Sequence, residues 1–443
     1  MRTPICDFVR KYSESAAVRA HMPGHKGVSR LGVEHLDLTE ISGADSLYEA
    51  SGIIRESEAN ASALFGARTL YSTEGSSLSI RAISAMLMRY SASVGREPVV
   101  LACRNAHKSF IYGAALAGLE VEWLFGDSYL SFSVDLSELS RLLAELRPVA
   151  LYLTSPDYLG RVADIEKIAE LCHKSGALLV VDNAHGAYLK FLSPSRHPID
   201  LGADIVCDSA HKTLPVLTGG GYLHISPSAP RELVSIARSS MELFGSTSPS
   251  YLILESLDFC NAELASGYAE RIADFALRMA EFKAKLNTGG YYLLENEPFK
   301  VTIDAKRHGY LATELAHALE AAGIYPEFAD PDYLVLMLTP DSDESLGRIA
   351  EALLAIPQRA AITTAPPSPS RLIRTMSARE ALLAASVIIP TSAAEGRILA
   401  TASVGCPPAI PIAISGERID AATCRAFEYY GITALAVVKV NCQ

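Results

Sequence analysis

Lys212 stands in the run Ser209-Ala210-His211-Lys212-Thr213, thirty residues after the acid Asp182. Each follows a short apolar run, residues 203–207 before the lysine and 177–181 before the acid. A lysine in a loop behind a strand, beside hydroxyl and imidazole donors, can hold an aldehyde cofactor as a Schiff base. An acid buried at the end of a neighbouring strand can keep that cofactor's pyridine nitrogen protonated, the partnership used with pyridoxal 5'-phosphate. Burying Asp182 is costly without a cation, and a protonated pyridine nitrogen would supply one. Helix capping is the structural alternative. A metal reading through Asp182 and His185 lacks a third ligand at recognisable spacing.

Three further places could serve the same chemistry. Tyr71-Ser72-Thr73-Glu74-Gly75-Ser76-Ser77 runs into a helical pattern in which Ser79, Ala82, Ile83, Met86, Leu87 and Tyr90 share one face. Gly75 and Ser76 at such a helix start offer backbone N–H groups and the positive end of a dipole, a seat for phosphate; a plain N-cap is the simpler reading. His107, after the apolar run 99–102, could lie flat on a pyridine ring or be an ordinary loop histidine. Lys108 beside it is a rival lysine, but no acid-bearing strand precedes it at suitable spacing. Ser155 follows the apolar run 149–154.

The elements that must position these groups alternate. Runs 99–102, 121–125, 149–154, 177–182, 205–208 and 222–225 read as strands, with helical stretches such as 165–175 between them. That alternation predicts an α/β fold with a mostly parallel sheet covered on both faces. Ligands in such sheets sit beyond the carboxyl ends of the strands, where His107, Ser155, Asp182 and Lys212 all fall. Residues 1–56 read as an N-terminal arm, 57–286 as a large domain closing on one long helix from about 251 to 286, and 287–360 as a small α/β domain. Prolines and small polar residues mark 361–371 as a linker. Residues 372–443 read as a helix, a proline-rich turn at 406–411, a second helix and an apolar strand.

The chain has 443 residues, 49% of them apolar and 20% charged, as expected of a globular enzyme of two or three domains. A net charge of −11 argues against nucleic-acid partners. Eight cysteines without a CxxC pair argue against a zinc knuckle or a disulfide framework and fit a reducing cytoplasm. The first residues do not read as a secretory signal, and no apolar run is long enough to span a bilayer.

Taken together, HMPGHKG (21–27), LTEISGADSLY (38–48), STEGSS (72–77), RNAHKS (104–109), TSPDYLGRVADI (154–165), VVDNAHGAY (180–188), DSAHKTLPVLTGGGYLHI (208–225) and FGSTSPSY (244–251) resemble the Orn/Lys/Arg decarboxylases of aspartate-aminotransferase fold. EGRI (395–398) and CPPAIPIAISGE (406–417) carry the likeness into the family's small C-terminal domain. The resemblance implies PLP fold type I, with a seven-stranded-type sheet and smaller C-terminal α/β domains. It implies that Lys212 forms the internal aldimine, Asp182 pairs with the ring nitrogen, His107 stacks on one ring face and Ala184 packs the other. Gly75, Ser76, Ser209 and His211 would hold the phosphate, and His185 would sit near the reacting carbons. Ser246-Thr247-Ser248 resembles a segment that reaches the phosphate across a dimer interface, which implies a homodimer or higher oligomer.

The chain departs from the family pattern at Asn183, Tyr188, Gly219-Gly220-Gly221 and Cys406, positions that bear on substrate choice. With no receiver-like domain ahead of the matched blocks, it resembles the short, biosynthetic-type branch. The expected reaction is α-decarboxylation of a basic L-amino acid, arginine ahead of lysine or ornithine, with Lys212 or His185 returning a proton to the α-carbon. Asp45, Glu49 and Glu74 are the acids nearest by motif position for the distal cation. An aminotransferase or lyase on the same scaffold, and a degenerate regulatory homologue, are the alternatives.

Overall fold

The computed structural model describes residues 1–126, 133–369, 371–406 and 410–439. Strands β1 (Arg68–Ser72), β2 (Val99–Cys103), β3 (Glu120–Leu124), β4 (Ala150–Thr154), β5 (Leu178–Asp182), β6 (Ile205–Asp208) and β7 (Gly221–Ile225) form one sheet in the order β1-β7-β6-β5-β4-β2-β3. The sheet is mostly parallel, as β5 and β6 are; β7 runs antiparallel to both of its neighbours, β6 and β1. Leu178, Leu179, Val180 and Val181 make β5 apolar on both faces, and every residue of the strand is buried. A strand with helices on either side has no wet face, so it needs no polar alternation.

Helices α1 (Pro4–Ser13), α2 (Ile53–Phe65), α3 (Gly75–Ser93), α4 (Lys108–Ala117), α5 (Leu136–Leu146), α6 (Ile165–Ser175), α7 (Ala210–Thr213), α8 (Arg231–Glu242), α9 (Tyr251–Leu264) and α10 (Tyr268–Thr288) accompany these strands. Their ends follow local chemistry. Asp164 caps α6 by accepting from Lys167 N, and Gly176 ends it at φ 73°, a left-handed turn that costs glycine little. Contacts group the chain into two compact units. The first comprises Met1–Val99, Leu143–Tyr152 and Asp164–Ile272; the second comprises Val100–Leu142, Leu153–Ala163 and Ala273–Gln443. Among the described residues, no helix is long and apolar enough to cross a membrane.

Several expectations need correction. The strand at Arg68–Ser72 was not anticipated, because its polar ends hide a short apolar centre. Helix α3 is not one-faced: Ile80, Ser84 and Ala85 are buried along with Ser79, Ala82, Ile83, Met86 and Leu87 of the expected stripe, so water reaches little of its surface. The single long helix expected over 251–286 is two, α9 and α10, parted where Gly267 turns left-handed at φ 70°. In the second unit β8 (Lys300–Asp304), β9 (Phe328–Ala329) and β10 (Tyr333–Met337) pair in the order β8-β10-β9. Residues 361–369 carry neither helix nor strand, in keeping with the linker reading. Beyond them the chain is richer in strand than expected. It forms β11 (Ile373–Arg374), β12 (Ser386–Pro390), β13 (Ser403–Cys406), β14 (Ile410–Ile414), β15 (Glu417–Arg418) and β16 (Ala434–Val438), pairing as β11-β15, β12-β16 and β13-β14. Residues 407–409 of the anticipated proline-rich turn lie outside the described residues.

Two buried carboxylate systems hold distant segments in place. In the second unit Arg104 makes two 2.7 Å bonds to Glu417, both side chains nearly inaccessible, and the guanidinium also lies over the rings of Trp123 and Phe125. In the first unit Asp258 Oδ2 accepts from Ile5 N (2.9 Å) and Cys6 N (3.0 Å), two otherwise unmatched donors at the start of α1. Beside it, burial and then the charges of Asp258 and Asp37 push the Glu255 carboxyl up to about 8.

Removing one partner of a buried ion pair strands the other, so Arg104→Ala should cost about 3–5 kcal/mol of stability, read by denaturant unfolding. A loss under about 1 kcal/mol would mean that the pair is solvated in practice. For Glu255, folding takes up a proton. Its stabilising contribution is therefore complete below the ordinary value of 4.5 and is lost as pH climbs through about 8. The melting-temperature advantage of the wild type over Glu255→Gln should shrink steadily across that interval; a constant difference would contradict the assignment.

Candidate active site

Lys212 occupies α7, a single turn that follows β6 directly. Its backbone is pinned by a bond from Lys212 N to Ser209 O (3.0 Å), and its Nζ lies 3.0 Å from His185 Nε2. On the neighbouring strand, Asp182 is in register with Cys207. The acid therefore ends its strand beside the strand that leads to the lysine. Asp182 is buried, and its carboxylate accepts from Tyr152 Oη (3.2 Å), Ala184 N (3.2 Å) and, more weakly, Cys207 Sγ (3.7 Å). Burial pushes the Cys207 thiol well above its usual range, so it stays protonated and can only donate.

A second group of residues makes a small polar cradle. Helix α3, 19 residues long, begins at Gly75, and its N-cap, Glu74, makes no side-chain capping bond. Ser76 N donates to Ser209 Oγ (3.2 Å), which donates in turn to Ser76 Oγ (2.9 Å). His211 is fixed through Gly220 O, with Nδ1 at 2.9 Å and the backbone N at 3.1 Å. Burial lowers its pKa, and because a carbonyl oxygen only accepts, Nδ1 is the donor. Gly75 adopts φ 60°, and a Cβ there would lie 3.1 Å from His211 Cε1 and 3.6 Å from Ser209 Oγ. A side chain at this position would fill the cradle.

The glycines after the lysine are explained by crowding. A Cβ on Gly221 would sit 2.7 Å from Asp208 O and 2.8 Å from the Gly75 carbonyl carbon, both backbone atoms that cannot step aside. Gly219 N-terminal to it, at φ 101°, accepts from Gly75 N at 2.6 Å. The GGG run is what allows α3 to begin against the β6–β7 connection.

The residues that the sequence singled out separate into two sets. Gly75, Ser76, Asp182, Ala184, His185, Ser209, His211 and Lys212 all belong to the first unit, where the bonds above link them. His107 and Ser155 belong to the second. There His107 caps α4, its Nδ1 accepting from Ser109 N (3.2 Å), and Ser155 Oγ accepts from Ala163 N (3.0 Å) to close its loop. Thr247 is exposed and lines a 240 Å³ pocket of the first unit with Met22, Pro23, Asp37 and Glu40. Two of the three acids considered for a distal cation are already committed. Asp45 accepts from the backbone N–H groups of Ser46, Ser51, Gly52, Ile54 and Arg55, and Glu74 from Ser246 N and Arg81. Glu49 is exposed. Tyr152 and Asp208 were missed, although a tyrosine in the otherwise aliphatic run Ala150–Thr154 was a signal for a buried polar contact.

A buried acid at one strand end, a lysine on the next turn and a hydroxyl-lined helix start fit a phosphate-bearing aldehyde cofactor in charge and donor type. Residues 3–297 match the model of the Orn/Lys/Arg decarboxylase major domain, which is more than half of the chain. The chain belongs to the Orn/Lys/Arg decarboxylase family. An arginine decarboxylase of Bacillus subtilis is 30% identical over 94% of this chain and 91% of its own length. Among solved structures, the lysine decarboxylase LdcF of Francisella novicida superposes with a TM-score of 0.78 at 16% identity, over 99% of this chain and 81% of that one. An alanine–glyoxylate aminotransferase from Nostoc sp. matches 71% of this chain and 93% of its own, with a TM-score of 0.54 and 17% identity. The fold of this Orn/Lys/Arg decarboxylase is thus PLP fold type I, shared by decarboxylases and aminotransferases, and the family assignment makes it an amino-acid decarboxylase.

In this decarboxylase the packing of Gly221 leaves no room for a methyl group. Gly221→Ala should destabilise the protein by about 1–3 kcal/mol and weaken uptake of pyridoxal phosphate, measured by equilibrium dialysis. Unchanged uptake would show that α3 can retreat without disturbing the cradle.

Proposed function

We propose that the protein removes the α-carboxylate of a basic L-amino acid as carbon dioxide, using pyridoxal 5'-phosphate, and yields a diamine or agmatine that feeds polyamine synthesis. Arginine is the favoured substrate, ahead of lysine and ornithine. The whole-length likeness to a protein named arginine decarboxylase supports that order. The observation that carries the reading is the juxtaposition of Lys212 and His185 at 3.0 Å beside the buried Asp182.

When bound, the cofactor supplies an electron sink for the pair left behind by carbon dioxide. The chain's own residues would do the rest. Lys212 Nζ is the amine that attaches the cofactor, and Asp182, kept in place by Tyr152 and the Ala184 amide, holds a proton on the pyridine nitrogen. Ser76, Ser209 and His211, with the backbone at Gly75, bind the phosphate at the start of α3. His185 Nε2, within hydrogen-bond reach of Lys212 Nζ, orients that amine and can exchange a proton with it, so either group can return a proton to the α-carbon. Ala184 would pack one face of the ring. Because Ser246, Thr247 and Ser248 are all exposed, a homodimer in which Thr247 serves the partner's phosphate fits this chain. Its cysteine pattern fits the cytoplasm.

Purified protein should show a visible cofactor absorbance that Lys212→Ala abolishes, and borohydride should fix the label on Lys212. Carbon dioxide release from arginine, lysine, ornithine and meso-diaminopimelate then tests the substrate, with Lys212→Ala expected to lose at least about a thousandfold in kcat/KM. A loaded enzyme that releases no carbon dioxide from any of the four, or forms a keto acid instead, would refute the decarboxylase reading.

A further inference from the structure

A buried cluster with no part in the chemistry above lies at the end of β6. Asp208 is fully buried and takes three N–H donors. Asn183 Nδ2 reaches Oδ1 at 2.7 Å, while His197 Nε2 and His224 Nε2 reach Oδ2 at 3.0 and 3.1 Å. The far side of each imidazole fixes its tautomer. His197 Nδ1 accepts from Ile199 N (3.3 Å), and His224 Nδ1 lies 2.8 Å from the Thr69 hydroxyl, which can donate to it. Both rings therefore carry their proton on Nε2 and turn it toward the carboxylate. One ligand atom from each of the three residues falls within 4.8 Å of the others, as a metal site would require. An Nε2 that bears a proton has no lone pair for a metal, however, so these groups satisfy one another. Burial alone would raise the Asp208 carboxyl; the two imidazoles more than offset it and hold the group ionised. The ring of Phe65 closes over His224 at 4.4 Å.

The cluster bears on the site through Asn183, the residue between Asp182 and Ala184. Asn183 is buried, its Oδ1 has no hydrogen-bond partner among the described residues, and its amide is held by Asp208. Its backbone N donates to Cys207 O at 2.9 Å. The residue after the acid is thus tied to the last two residues of the strand that leads to Lys212. Resting on the cofactor reading above, we propose that Asp208 is a positioning residue that sets the separation of Asp182 and Lys212 from the opposite face of the sheet.

Asp208→Ala removes the acceptor of the Asn183 amide and so breaks the tie. The holoenzyme variant, dialysed against pyridoxal phosphate at a temperature where circular dichroism shows it folded, should lose cofactor affinity by about tenfold or more. Asn183→Ala should produce a similar loss alone and less than about a twofold further loss in the Asp208→Ala background, because both cut one hydrogen bond. A melting temperature that falls while cofactor affinity stays within twofold would overturn the proposal, and so would losses that multiply. If Asp208→Ala does not fold, Asn183→Ala alone decides, since it leaves the carboxylate both imidazole donors; unchanged affinity there also overturns it. Failure of the cofactor reading looks different: the wild type itself would carry no borohydride-fixed label on Lys212.

Discussion

A parallel strand pair delivers two chain ends to the same side of a sheet, and β5 and β6 use this to bring an acid and an amine together. Asp182 closes β5 opposite Cys207, and five residues later the chain presents Lys212 on a one-turn helix. Asp182 could not be moved by one position without facing the other side of the sheet, because side chains alternate along a strand. The contacts that fix Asp182, from Tyr152 and the Ala184 amide, and the clamp on Asn183 from behind, all preserve this alignment. The reach of His185 to Lys212 depends on it.

The reversed strand β7 complements the parallel pair. Because it runs against β6, its beginning rather than its end lies at the active pole, so glycine backbone from 219–221 reaches the cradle. Backbone can approach backbone there only without side chains, which accounts for three consecutive glycines and for the left-handed turn at Gly219. At the start of α3 the chain has given up local stiffness to obtain close contact.

The strands on either side of the site were legible because residues 99–102, 177–182 and 205–208 are short apolar runs, and the observed elements agree with them to about a residue. The lysine, its histidine neighbour and the cradle were legible because they sit in compact motifs. Other features were not. β1 escaped because Arg68, Thr69 and Ser72 break its apolar pattern. The commitment of Asp45 to five backbone amides depends on a loop shape that no local pattern announces. The Asp208 cluster joins residues from four separate segments, and only the fold brings His197 and His224 to one carboxylate. Its sequence trace was an acid inside a buried strand, a cost that had to be offset by donors from elsewhere.

The direction of β7 also leaves the opposite pole of the sheet idle. There Ser226 N simply closes onto Asp204 O, and the turn at 226–230 leads into α8 without touching the cradle. Insertions, fusion points or immobilisation tethers placed in that turn would leave the working end undisturbed, whereas a single added methyl at the other end of the same strand meets backbone on two sides. One five-residue strand therefore spans from the least permissive ground in this domain to some of its freest.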